Sequence, residues 1–226
     1  MSRSRIRIVL AAYVAALLII AAIRASAGTA SPLAVLGPWA TPLYVAAVIV
    51  FAQALARAGV EFDSFGFGRR LELRHLMLAV AGYIALYVFG TLLGPVWAWL
   101  FEDMGRELSR FASLEGDLPA LLRMLLFSWA FAAFGEELAY RIVLQRSLYA
   151  ALGEGRGAAV GAILGQALVF GAAHAYQGPV GVAETVVSGV VYGLVASAGR
   201  FAIWPSALLH GFRNTLGLVR LYLGAG

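Results

Sequence analysis

Seven segments of the sequence, at roughly 6–23, 38–56, 76–100, 120–147, 158–176, 180–199 and 202–223, are nearly continuous runs of apolar residues. A helix needs about 20 such residues to cross the hydrocarbon core of a bilayer. Nothing else in the chain restricts its fold as strongly. Inside lipid every backbone N–H and C=O must find its partner within the protein, so only helices and closed barrels span. The runs lack the period-two alternation of barrel strands. The expected fold is therefore all-α, a polytopic transmembrane bundle of about seven helices. Composition supports this. Hydrophobic residues make up 62% and charged residues 13%, against about 45–50% and 25% in soluble domains. That leaves too little polar surface to cover a soluble globule, and lipid requires none.

Charge adds topology and excludes some partners. Every Lys/Arg position is Arg. The arginines are spread over the loops, with no run interleaved with aromatics, so no nucleic-acid partner is expected. Cysteine is absent, which removes disulfides, thiolate nucleophiles and Cys-based metal sites. Arg3, Arg5 and Arg7 favour a cytoplasmic N-terminus. Arg69, Arg70 and Arg74 then fall on the same side, as do Arg156 and Arg200. The loop with Glu102, Asp103, Glu107, Glu115 and Asp117 falls outside. Arg106 and Arg110 share that loop and run against the pattern. Residues 102–118 read as a short interfacial helix. The first segment reads as a retained helix. The alternative is a signal peptide cut near Ala25-Ser26-Ala27, although its apolar stretch exceeds the usual 7–15 residues. The chain divides into N-terminal helices over 1–119, which carry no readable chemistry, and polar-bearing helices over 120–223.

Ionisable groups are costly inside a bilayer and usually face a bundle interior or a water-filled cavity. Here they gather in the later segments. One carries Phe134-Gly135-Glu136-Glu137-Leu138-Ala139-Tyr140-Arg141, another Phe170-Gly171-Ala172-Ala173-His174, and the last His210-Gly211-Phe212-Arg213-Asn214. Glu137 and Arg141 are four apart and can pair on one helix face. Glu136 is then turned by about 100° onto another face. His210 and Asn214 are also four apart and would present two polar groups to one cavity. Glu136 and His174 flank the turn at Gly153-Glu154-Gly155-Arg156-Gly157 at equal distances, so an antiparallel hairpin sets them at equal height.

A carboxylate beside imidazoles can activate water as a general base. A His ring or an Asn amide can donate to the oxyanion of a tetrahedral intermediate. Alternatively, Glu136, His174 and His210 could ligate zinc with an open water position. Ser188 and Ser206 offer a weaker, serine-based route.

The order Glu-Glu-x-x-x-Arg, Phe-x-x-x-His, His-x-x-x-Asn within hydrophobic segments resembles the CPBP family of intramembrane proteases. That family includes the type II CAAX prenyl endopeptidases and the Abi bacteriocin-processing or immunity proteins. The resemblance covers roughly 120–220. It implies a peptidase with an intramembrane catalytic cavity in which Glu136 activates the attacking water and His174 helps to position it. It further implies that His210 and Asn214 stabilise the oxyanion, and that Glu137 and Arg141 hold the first motif in shape. Phe170 would pack beneath the site. The family is often labelled metalloprotease, and a metal-free glutamate mechanism is also argued for it. No cofactor is required on the second view; zinc is required on the first. The expected substrate is a peptide or protein in or at the membrane, lipidated or bacteriocin-like. The expected location is a bacterial inner membrane.

Blander readings stand beside these. Glu136, Glu137 and Arg141 can form a structural ion pair, and His210 and Asn214 can be interhelical polar glue. Arg213 is expected to snorkel or ion-pair, Glu184 to reach the interface and His75 to be solvated. Trp97, Trp99, Trp129 and Trp204 read as interface anchors or core. The competing functions are a proton-coupled transporter built on the same buried Glu/His cluster and a non-catalytic membrane protein.

Overall fold

The structure, a computed structural model, describes residues 3–27, 29–102, 105–153 and 155–224. Asp103 and Glu154 lie outside the described residues, as does the side chain of Arg110. Among the described residues seven long helices follow one another: α1 (Arg3–Ser26), α2 (Ala40–Arg57), α3 (Leu73–Leu100), α4 (Leu118–Leu152), α5 (Gly155–Ala172), α6 (Gly178–Ala198) and α7 (Ile203–Tyr222). A 3₁₀ segment over Pro32–Trp39 leads into α2. No strand occurs among the described residues. Each expected segment is present as a helix, with ends displaced by a few residues. Six of the helical stretches are long and apolar enough to cross a membrane. α7 is the exception, because His210, Arg213, Asn214 and Arg220 interrupt its apolar run. This integral membrane protein holds α7 instead by packing it against α3, α4 and α6.

Local chemistry sets the helix ends. Asp117 accepts a hydrogen bond from the Ala120 N–H at 2.8 Å and starts α4. Gly153, at φ 105°, ends it in the left-handed conformation that glycine adopts without strain. α3 begins with a reciprocal cap in which the Glu72 N–H donates to His75 Nδ1 at 3.1 Å. That cap turns the His75 ring inward, where it is fully buried. The expectation of a solvated His75 is therefore wrong, because the ring closes a helix end.

The core is continuous from α1 to α7. α1 contributes Leu10, Tyr13, Leu17 and Ile20 to it, and Arg7 Nε donates to the Ala151 carbonyl at 3.2 Å. α1 is thus an element of the bundle, and Ala25-Ser26-Ala27 straddles its end. α5 and α6 approach closely because glycines line their contact. A Cβ on Gly189 would lie 2.9 Å from the Ala167 backbone, and one on Gly171 2.3 Å from a Val186 methyl. α3 buries only His75, Ala79 and Gly82. Its Val80, Ile84, Leu92 and Trp99 stay exposed as a lipid-facing belt.

The loops sort onto two faces. Arg3 abuts Gly153, Asp63 pairs with Arg146 at 3.6 Å, and Gly66 abuts Phe201. The N-terminus and the loops at 58–72, 153 and 199–202 therefore share one face. On the other, the Glu107 N–H donates to the Gln177 carbonyl and the Gly116 N–H to the Tyr222 carbonyl. The segment at 101–117 on that second face contains a short 3₁₀ helix, Ser109–Leu114, and Leu114 is buried with Leu121 and Leu218.

Candidate active site

The middle of α4, Ser128–Gln145, winds as a π-helix. Its hydrogen bonds run from i to i+5, and such windings cluster at functional sites. Each residue turns less than the 100° of an α-helix. Glu136 and Glu137 are therefore closer in direction than α-helical geometry gives, and each meets a different histidine. Two tyrosines brace this turn from outside. Tyr13 of α1 donates to the Ala139 carbonyl at 3.2 Å, and Tyr44 of α2 donates to the Gly135 carbonyl at 3.3 Å. Extra partners suit a helix whose regular ladder is altered.

Glu136 faces His174, with Oε2 4.0 Å from Nε2. Both side chains are mostly buried, at 13% and 14% exposure. His174 sits just beyond α5, and its Nδ1 donates to the Phe170 carbonyl at 2.8 Å. A neutral ring so held presents the bare lone pair of Nε2 to the carboxylate. Glu136 Oε2 has no hydrogen-bond partner among the protein atoms.

Glu137 does more than pair with Arg141. One oxygen lies 3.2 Å from Arg141 Nε, with both side chains fully buried. The other accepts from His210 Nδ1 at 2.9 Å. Arg141 needs this carboxylate, since a buried guanidinium is costly unless paired. Aromatic faces complete its surroundings, with Phe170 at 4.3 Å and Tyr192 at 5.0 Å from the guanidinium carbon. Tyr192 also stacks on the His210 ring at 4.9 Å. Phe170 touches Arg141 and both histidine rings, at 4.6 Å for His174 and 6.1 Å for His210. It packs among the site residues.

Asn214 Nδ2 donates to Ser128 Oγ at 3.2 Å, which fixes the amide and leaves its second N–H. Glu136, Glu137, Arg141, Phe170, His174 and His210 are thus gathered in one place, with Asn214 one turn along α7 from His210. Tyr13, Tyr44, Ser128 and Tyr192 join the site without having been signalled by any sequence pattern. Ser188 Oγ donates to its own helix at the Glu184 carbonyl. Ser206 is buried without a hydrogen-bond partner.

Zinc does not fit this arrangement. Among the described residues no three His, Asp or Glu side chains converge on a point that could hold a metal ion.

Compared with known families, residues 118–216 match the family model described as Type II CAAX prenyl endopeptidase Rce1-like. Comparison with curated proteins gave no match, and comparison with solved structures gave none either. All seven gathered residues fall within the matched stretch. This region of the chain, which carries the gathered side chains, is thus similar to the type II CAAX prenyl endopeptidases.

Proposed function

We propose that the protein hydrolyses a peptide bond of a membrane-associated substrate with water activated by Glu136. The pair of buried acceptors, Glu136 Oε2 and His174 Nε2, 4.0 Å apart, carries this reading. Two acceptors cannot bond each other, and the gap exceeds any hydrogen bond. A water molecule has two hydrogens and can donate one to each. Held so, its oxygen lone pair is free to attack a carbonyl carbon.

As the C–O bond forms, Glu136 takes the water proton. The carbonyl oxygen becomes an oxyanion. The free amide N–H of Asn214 and the adjacent His210 ring stabilise it. Glu137 fixes the His210 ring through Nδ1, and Arg141 fixes Glu137, so the donors are oriented before charge develops. Collapse breaks the C–N bond, and Glu136 returns its proton to the leaving amine. The burial of the cluster keeps competing solvent away from these bonds.

Mass spectrometry of membrane peptides from cells with wild-type protein and with Glu136→Gln tests the reading. It expects at least one peptide terminus found only with the wild type. Identical termini in both would refute it. Proton flux into liposomes that disappears in His174→Ala would instead favour transport.

A further inference from the structure

Gly135 and Ala139 flank the two glutamates of the π-segment, and their carbonyls take donors from two other helices. Tyr13 of α1 reaches the Ala139 oxygen, and Tyr44 of α2 reaches the Gly135 oxygen. Both tyrosines are buried, at 0% and 4% exposure. Each ring is also fixed by a neighbour. The Arg24 guanidinium carbon lies 4.8 Å from the centre of the Tyr44 ring, and the Tyr13 ring packs on Phe51 with centroids 5.4 Å apart. α1 and α2 lie outside the stretch that matches the family model.

Packing alone needs no hydroxyl at either position. Phenylalanine would fill the same space with no buried polar atom to satisfy, and burying an unpaired hydroxyl is costly. The hydroxyls supply donors where a membrane helix otherwise has none. A carbonyl that tilts out of a helix ladder ordinarily does so toward water, and hydrocarbon holds no water to receive it. Residues 135 and 139 are four apart, so their carbonyls lie on one stripe of α4. Two donors on that stripe stabilise outward-tilted carbonyls and favour the wider π-winding over an α-helix. In the wider winding Glu136 and Glu137 diverge by less than the about 100° of an α-helix. One then meets His174 while the other meets His210. In an α-helical form each residue from Ser128 onward would turn further, and the excess would accumulate up to Glu136. Glu136 would swing away from His174, while Glu137 would keep Arg141 on its own helix.

We infer that Tyr44 and Tyr13 are positioning residues whose hydroxyls hold α4 in the π-winding that turns Glu136 to His174. They act through the α4 backbone. The effect on cleavage rests on the peptidase reading; the effect on geometry does not.

Tyr44→Phe, Tyr13→Phe and the double variant keep both rings and remove only the hydroxyls. The full chain in phosphatidylcholine nanodiscs gives two readouts. The first is cross-linking. The chain lacks cysteine, so Glu136→Cys with His174→Cys makes a unique pair for a short bis-methanethiosulfonate reagent, at side chains whose native ends lie 4.0 Å apart. The double Tyr variant should slow this cross-link about tenfold, the scale of one or two neutral hydrogen bonds. A control pair off α4, Arg106→Cys with Glu184→Cys, should keep its rate. The second readout is peptide cleavage, in which kcat should fall by a similar factor in the double variant while KM stays within about twofold. If the double variant fails to fold, Tyr44→Phe alone, which acts next to Glu136, should move both readouts in the same directions. Unchanged cross-linking overturns the inference, whatever happens to kcat. So does equal slowing of both cysteine pairs, which would mean general loosening. Slower cross-linking at the site in a protein whose wild type cleaves no peptide would count against the peptidase reading and leave the positioning role standing.

Discussion

Glu136 and Glu137 are adjacent in sequence and opposite in circumstance. Glu137 is fully buried and has a cation on one oxygen and an imidazole N–H on the other. Glu136 has an oxygen with no protein partner, aimed at an imidazole lone pair. The two positions should therefore fail differently. Glu137→Gln leaves Arg141 as an unpaired buried charge, and breaking such a pair costs about 3–5 kcal/mol. A clear fall in Tm is the expected result, with part of it recovered when Arg141→Met removes the stranded cation. His174→Ala should leave Tm nearly unchanged and lower kcat by roughly 10²-fold or more, the scale of a lost general acid–base partner. Thermal melts alongside peptide cleavage separate these outcomes. The Glu136–His174 meeting was legible from sequence because equal distances from a turn mean equal heights in a hairpin. The link from Glu137 to His210 was not, because spacing along one helix cannot show what a helix 73 residues later brings. Tyr13, Tyr44 and Tyr192 were hidden for another reason: an aromatic in an apolar run looks like packing until its hydroxyl or ring face finds a partner.

At the scale of elements, the apolar runs and their breaks located all seven helices. The winding inside them was not written there. No residue in Ser128–Gln145 signals a π-helix as proline signals a kink, and the altered ladder depends on contacts from α1 and α2. The α5–α6 contact is set by glycine. Gly189→Leu would drive a side chain into the Ala167 backbone. Overpacking of this kind costs roughly 1–3 kcal/mol, more where backbone must shift. A Tm lower by roughly 5 °C or more is expected for a chain of this size. Activity should fall with it, because His174 follows α5 directly. A Tm within a degree of wild type would mean the helices separate freely there.

For the whole molecule, the contacts place the N-terminus and the loops at 58–72, 153 and 199–202 on one face, and 101–117 with 173–178 on the other. Arg106, which ran against the sequence-based charge pattern, pairs with Glu184 and donates to the Gln177 side chain. The absence of cysteine makes this division directly measurable. Single cysteines replacing Ser64 and Arg200 should label from the same side with a membrane-impermeant maleimide. One replacing Gly116 should label from the other. Labelling of all three from one side would overturn this division into two faces.

The central claim is that Glu136 activates the water that cleaves the peptide. Its most direct test is cleavage of a fluorogenic membrane peptide by the purified protein in nanodiscs, wild type against Glu136→Gln with matched Tm. A loss of kcat of about 10²–10⁴-fold is predicted for the variant. Cleavage at the wild-type rate by a folded Glu136→Gln protein would contradict it.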